Sequence, residues 1–329
     1  MADIEKIVII TKKTQLQGLI AQFNTKAQAN FYINQMGGDF NYYEEADYQY
    51  NQSLNQLKKF IPSNYKIQII DQEFLPNFLF NRTDLIIVIG PDGLVVNTAK
   101  YLDNQYILAI NPDPQRIDGV LLPFGIEDFI PQLKLLEGEL ENHIKITMAQ
   151  AELNNGQKIY GVNDLFIGKR DHTSARYNIQ FRDDSEDHSS SGIIVSTGCG
   201  STGWFKSVVT GAIGLTRQFR NQNNIQMPEE SEYRFDWNAR YLFFSVREPW
   251  ISKITGGNII FGKVWEGEYL TLESNMPDNG VIFSDGIIND YINFNSGTIA
   301  KIGVADKTAN LIVPESMIKD DYDERSYYY

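Results

Sequence analysis

The run Ile86–Leu102, IIVIGPDGLVVNTAKYL, places the strongest single constraint on how this chain can fold. Its first half is apolar and β-branched, it passes through Gly90-Pro91-Asp92-Gly93, and its second half carries helical spacing. That order predicts a strand, a turn and a helix. Glycine at such a turn permits positive φ and lets a ligand approach the backbone closely. The N-terminus of the helix that follows offers free N–H groups to an anion such as phosphate. An acid aimed at a bound phosphate is out of place unless it meets a hydroxyl or a metal, which singles out Asp92. Asp-Gly also occurs in ordinary turns for conformational reasons alone.

A second glycine-rich segment, Ser191–Ala212, again follows a strand-like run, Ile193–Val195. It gathers Ser196, Thr197, Gly198, Cys199, Gly200, Ser201, Thr202 and Gly203 ahead of Trp204 and a helical pattern. Small residues allow backbone contact with a ligand, and hydroxyls both donate and accept hydrogen bonds. Ser201 or Thr202 also qualifies as an N-cap for the following helix. Two such loops about a hundred residues apart point to a ligand site between two domains.

Up to about residue 125 the pattern alternates. Ile7–Thr11, Lys66–Asp71, Asp84–Ile89 and Tyr106–Asn111 read as strands, and Thr14–Phe23, Thr25–Met36 and Glu45–Ile61 as helices, with Asn24 or Thr25 as a cap. This alternation predicts a Rossmann-like parallel α/β domain over residues 1–125, with ligands at the carboxyl ends of the strands, where Asp92 lies. From residue 126 to 313 the runs become short and β-rich, separated by turn signals such as Asn154-Asn155-Gly156. They predict a mostly antiparallel β domain, followed by an acidic, Tyr-rich tail over 314–329 that packs back on the first domain. Arg217–Asp236 is polar and reads as a surface loop. Gly37-Gly38-Asp39-Phe40 follows a helical pattern and lacks a strand before it, so it reads as a helix stop.

The composition narrows the function classes. The chain has 329 residues, 42% hydrophobic and 22% charged, enough for a sizeable core. A net charge of −13 with no long Lys/Arg run argues against nucleic acid and against an anionic membrane. A single cysteine, Cys199, excludes an internal disulfide and fits a reducing compartment. With no long apolar stretch and no signal or transit pattern, a cytoplasmic location is expected. His143, His172 and His188 have no ligand spacing with each other or with Cys199, so no metal site of protein side chains is expected. The acidic run Asp183–His188 reads as a solvated hairpin loop.

Taken in order, the motifs resemble the NAD kinase family, whose members carry a GGDG turn, an Asn-acid pair and a TPTGSTAY-like loop. Here these read Gly90-Pro91-Asp92-Gly93, then Asn163-Asp164, then Thr197–Trp204, with further matches in Asn111–Phe124, Ser245–Pro249 and Phe283–Asp290. The resemblance covers roughly residues 80–305 and is nearest to the mitochondrial type of NAD kinase. It implies transfer of a phosphoryl group from ATP to the 2′-hydroxyl of the adenosine ribose of NAD, giving NADP. It further implies Mg²⁺ held mainly by phosphates. It casts Asp92 as the catalytic carboxylate that orients and deprotonates the hydroxyl. Gly90, Gly93, Asn163, Asp164, Thr197, Gly198, Gly200, Ser201 and Thr202 are cast as nucleotide- and phosphate-binding residues. A homo-oligomer is implied as well.

The chain departs from the family pattern at four positions. Pro91 stands for the second glycine and has no N–H to offer a phosphate. Ser191 stands for an acid, Cys199 for a threonine, and Trp204 for the common tyrosine. Two further readings therefore stay open: a kinase of the same superfamily acting on a sugar or lipid hydroxyl, and a non-catalytic nucleotide-binding protein. Arg116 and Arg247 are each candidates for phosphate contact or for structural ion pairs. Trp204, Trp250 and Trp265 are assigned to core or interface.

Overall fold

The computed structural model describes residues 4–136, 142–219 and 228–318. Its first elements are strand β1 (Lys6–Thr11), helices α1 (Gln15–Phe23), α2 (Lys26–Gln35) and α3 (Phe40–Phe60), and strands β2 (Lys66–Asp71) and β3 (Asp84–Ile89). Helix α4 (Asp92–Ala99), strand β4 (Tyr106–Ile110) and helix α5 (Phe129–Leu136) come next. Then follow β5 (His143–Leu153), β6 (Lys158–Gly161), β7 (Asp164–Lys169), β8 (Ala175–Phe181), β9 (Asp184–Ser190) and β10 (Ile193–Ser196). Helices α6 (Trp204–Phe219) and α7 (Glu230–Tyr233) precede β11 (Tyr241–Val246), β12 (Phe261–Trp265), β13 (Leu270–Ser274), β14 (Gly280–Ser284), β15 (Tyr291–Asn293) and β16 (Ile299–Ile312). The chain divides into one unit of 1–144 with 310–329, and a second unit of 145–309.

In the first unit β2, β1, β3 and β4 lie in that order, all parallel, and Asn310 and Leu311 of β16 add a parallel partner to β4. Local chemistry fixes the helices. Thr14 and Gln17 form a capping box at the start of α1, Asn24 closes it at φ +65°, and the Thr25 hydroxyl accepts the N–H of Gln28 to open α2. Gly37 ends that stretch in a left-handed turn, and Asp39 caps α3, so this helix begins earlier than its apolar spacing predicts. Ile86, Ile87, Val88 and Ile89 of β3 have no exposed surface, and each buried aliphatic side chain stabilises the sheet by about 1.5–3 kcal/mol.

The second unit holds two sheets. One orders β12, β11, β10, β7, β14 and β15, antiparallel throughout. The other runs β16, β13, β8 and β9, with β5 beside β16 and β6 on β5. Leu165, Ile167, Ile193, Val195 and Phe244 from the first meet Tyr177, Ile179, Leu270, Leu272 and Ile302 from the second in a single buried core. This is the β-rich antiparallel architecture expected.

Several local expectations change. The acidic run at 183–188 is not a loop: its residues form most of β9, paired with β8 across a turn where Arg182 takes φ +55°. His188 and Ser190 are buried while Asp187 and Ser189 on the opposite face are more exposed, so this end of the strand alternates although it contains no large apolar residue. Arg217–Phe219 continue α6, Glu230–Tyr233 form α7, and 220–227 lie outside the described residues. The expected packing of the tail also falls largely outside them, since only 314–318 of it are described. Trp250 is 69% exposed and Trp265 47%, so neither is a core residue. Among the described residues no helix is long and apolar enough to cross a membrane.

Candidate functional site

In the first unit the candidate residues centre on the start of α4. Pro91 is its N-cap residue, with φ −74°, and makes no side-chain capping bond. Asp92 takes the first helical position, where a carboxylate is favoured by the helix dipole. The side chain is half-buried, and its Oδ1 accepts the backbone N–H of Leu121 at 2.6 Å. No hydrogen bond reaches Oδ2 from the described residues. Gly93 is part of the helix rather than the turn, and a Cβ there would meet nothing within 4 Å. At Gly90, by contrast, a Cβ would lie 2.8 Å from Cδ2 of Leu94.

Leu121 belongs to the segment Asn111–Phe124, which sequence reasoning recognised as a match without giving it a task. The Asn111 side chain donates to the carbonyl of Ile117 at 2.9 Å and accepts the N–H of Asp113 at 3.0 Å. Gly119 sits at φ +70°, and a Cβ on it would come within 2.6 Å of Asn111 Nδ2. Arg116 pairs with Asp113 at 2.9 Å and with Glu45 at 2.6 Å, so its charge is committed within the protein. That resolves the Arg116 alternatives in favour of a structural ion pair.

In the second unit the turn between β6 and β7 and the loop after β10 are built around each other. The N–H of Thr197 donates to the carbonyl of Asn163 at 2.9 Å, and its hydroxyl donates to the carbonyl of Val162 while accepting the N–H of Gly200 at 3.2 Å. A Cβ on Gly200 would fall 2.0 Å from the carbonyl oxygen of Asn163, and one on Gly198 would fall 1.9 Å from that of Asp236. Protein backbone, not a ligand, therefore demands glycine at both positions. Cys199–Thr202 form a short 3-10 helix, so Ser201 does not cap α6; its hydroxyl donates to the carbonyl of Gly198 at 2.6 Å. Thr197, Gly198, Cys199, Gly200 and Ser201 are buried, whereas Thr202 and Gly203 are exposed. Trp204 stacks on Phe166 at 5.7 Å, and the Arg247 guanidinium lies 5.4 Å from the Trp204 ring.

Two polar groups of this turn are unspent. The Asn163 side chain is half-buried and makes no hydrogen bond among the described residues. Asp164 is 6% exposed, and its Oδ1 is buried without a hydrogen-bond partner among them. Burial, and then the nearby charge of Asp285, push the Asp164 carboxyl up to about 7. Asp285, which the sequence offered only as part of a longer match, is the organiser here: its carboxylate accepts the N–H groups of Val162, Asn163 and Asp164.

A chain with a parallel α/β unit and a mostly antiparallel β unit has the fold seen in NAD(H) kinase structures. Two solved structures share it. A yeast NADH kinase complexed with NADH superposes with TM-score 0.56 at 12% identity, over 95% of this chain and 84% of that one. An NAD kinase from Archaeoglobus fulgidus in complex with ATP gives TM-score 0.54 at 15% identity, over 97% of both chains. No protein-family model and no curated protein sequence matches the chain.

Proposed function

We propose that the chain is an NAD kinase-like phosphotransferase, making NADP by moving the terminal phosphoryl group of ATP onto the 2′-hydroxyl of the adenosine ribose of NAD. The observation that carries this reading is Asp92, with one carboxylate oxygen held by a backbone N–H and the other uncommitted at a helix N-terminus. In the proposed step Oδ2 takes the hydroxyl proton, the oxygen bonds to the γ-phosphorus, and the bond from that phosphorus to ADP breaks. Gly93 leaves room for the donor phosphates beside the opening turn of α4. Asn163 and the unpartnered Oδ1 of Asp164 take hydroxyl and amide groups of the dinucleotide, with the exposed Thr202 and the Thr197–Ser201 scaffold lining the nucleotide region. In this proposal 1–125 is the nucleotide-binding domain with the catalytic turn and 126–313 the dinucleotide-binding domain.

Among the described residues no cluster of three or more His, Cys, Asp or Glu side chains could cage a metal. The proposal has Mg²⁺ held by donor phosphates and water, where it neutralises their charge. Assembly as a homo-oligomer of the mitochondrial subtype belongs to the same proposal. Pro91, which caps α4 without an N–H to give, favours a second reading, in which NAD binds without turnover.

The deciding experiment measures NADP formation from NAD, ATP and Mg²⁺ in the wild type and in Asp92→Asn. Asparagine keeps an oxygen for the Leu121 N–H but cannot take a proton. Turnover is expected in the wild type and a loss of at least about 100-fold in the variant; equal activity in both would remove Asp92 from the reaction. Saturable NAD binding with no turnover in the wild type would establish the second reading.

A further inference from the structure

We infer that the segment Asn111–Leu122 is a positioning device for Asp92, which fixes one carboxylate oxygen so that only Oδ2 faces the acceptor. The inference rests on the proposed function only for the identity of that acceptor. Within the first unit every part of the device is visible. Its entrance is pinned where the N–H of Asn111 donates to the carbonyl of Phe124 at 2.8 Å. Its interior is folded around the Asn111 side chain, which spans Ile117 and Asp113. Gly119 supplies the left-handed turn and the space that this amide needs, and the N–H of Leu122 closes that turn on the carbonyl of Gly119 at 3.1 Å. The next N–H back along the chain, that of Leu121, then meets Asp92 Oδ1 at 2.6 Å.

The loop is also held from outside. Glu45, Gln49 and Ser53 are spaced four apart and share one face of α3. Ser53 donates to the carbonyl of Pro112 at 2.8 Å, Gln49 reaches the same carbonyl at 3.4 Å, and Glu45 pairs with Arg116. A helix with no residue at the turn of α4 thus sets the direction of the bond that reaches it. A carboxylate with one oxygen engaged by a fixed donor cannot rotate freely, so its second oxygen is presented in one orientation. Correct orientation of a base is worth large factors in rate, which makes Asn111 and Gly119 positioning residues and not catalytic ones.

The test follows Leu121 itself, by amide hydrogen exchange in the ¹⁵N-leucine-labelled full chain, alongside steady-state kinetics with NAD and ATP and a thermal melt. In Asn111→Ala the Leu121 amide should exchange at least about tenfold faster, and kcat should fall by a similar factor with the KM for ATP within about twofold. Ser53→Ala removes only the hydroxyl that α3 gives to the carbonyl of Pro112, so it should lie between wild type and Asn111→Ala in both readouts. It also serves as the deciding variant if Asn111→Ala does not fold. Unchanged Leu121 exchange in a folded variant overturns the inference whatever the kinetics. If the wild type makes no NADP, the kinase reading fails, and the exchange measurement alone supports or overturns the role of the loop.

Discussion

The carboxylate of Asp285 accepts the N–H of Asn163 at 2.7 Å, and with it those of Val162 and Asp164. One side chain therefore closes a turn that lies more than a hundred residues earlier in the chain, and the N–H of Asp285 returns the bond to the carbonyl of Asp164 at 3.0 Å. Asp285 itself sits at φ +57°, which Asn tolerates far better than Ala. Asp285→Ala should lose about 3 kcal/mol in urea denaturation, because it strands several backbone N–H groups. Asp285→Asn should stay within about 1 kcal/mol of the wild type. Equal losses in the two would show that the bonds do not hold the turn.

The raised Asp164 carboxyl makes stability depend on pH. Its value moves from 3.8 to about 7 on folding, so between those limits the folded chain holds the proton that the unfolded chain releases. Stability from this group is complete below about pH 4 and is lost as pH rises through 7, by at most about 4 kcal/mol. Asp164→Asn does not titrate and should gain on the wild type steadily from pH 4 to pH 8. Parallel stability curves for the two proteins would refute the shift. Removing the neighbouring charge with Asp285→Asn should also flatten the wild-type dependence.

Gly93 and Gly200 should separate binding from packing. Gly93→Ala introduces a methyl group into open space on a helix, so stability should rise by about 0.5–1 kcal/mol. The same methyl group would crowd the proposed phosphate position, and affinity for ATP measured by calorimetry should fall at least about tenfold. Gly200→Ala drives a carbon onto the Asn163 carbonyl and should cost at least about 3 kcal/mol, seen as a lower melting temperature. A Gly93→Ala protein that binds ATP normally would take the donor away from this turn.

Glu186 clamps the loop that carries Trp250, Ile251 and Ile254. Its carboxylate accepts from His188 and from the N–H groups of Asn258 and Ile259, at 2.6, 2.9 and 2.6 Å. Burial pushes this carboxyl up, but those hydrogen bonds outweigh it and hold the group below its ordinary value. Glu186→Ala should free the loop and accelerate tryptic cleavage after Lys253 several-fold, with the rest of the cleavage pattern unchanged. Cleavage at the wild-type rate would show that the loop holds its shape without the clamp.

What could be read from the sequence follows from how each signal arises. β3 and α4 were legible because an apolar run, a Gly-Pro-Asp-Gly turn and a change of period all lie within seventeen consecutive residues. β9 was not, because its inward residues are His188 and Ser190, whose polar atoms are met by Tyr177 on β8 and, for His188, by Glu186 on the same strand. Asp92 and the Asn163-Asp164 pair could be picked out as chemistry. Leu121 could not, because its contribution is a backbone N–H, which every residue except proline has. Asp285 was hidden by distance in the chain. Gly198 and Gly200 were singled out for a ligand, whereas what requires glycine there is the carbonyls of Asp236 and Asn163, which only the folded chain brings near.

The first unit is interrupted: its chain leaves after Ile144 and comes back at Asn310. Asn310 and Leu311 pair with Tyr106 and Ile107, so β4 gains its outer neighbour only from residues made about two hundred positions after it. Until the whole of 145–309 has emerged, the nascent protein carries β4 as an open apolar edge, the kind of surface that recruits other chains. Vectorial synthesis thus makes the second unit a waiting period for the first. A stop codon anywhere between the two halves would leave a product prone to aggregation, not a smaller working domain.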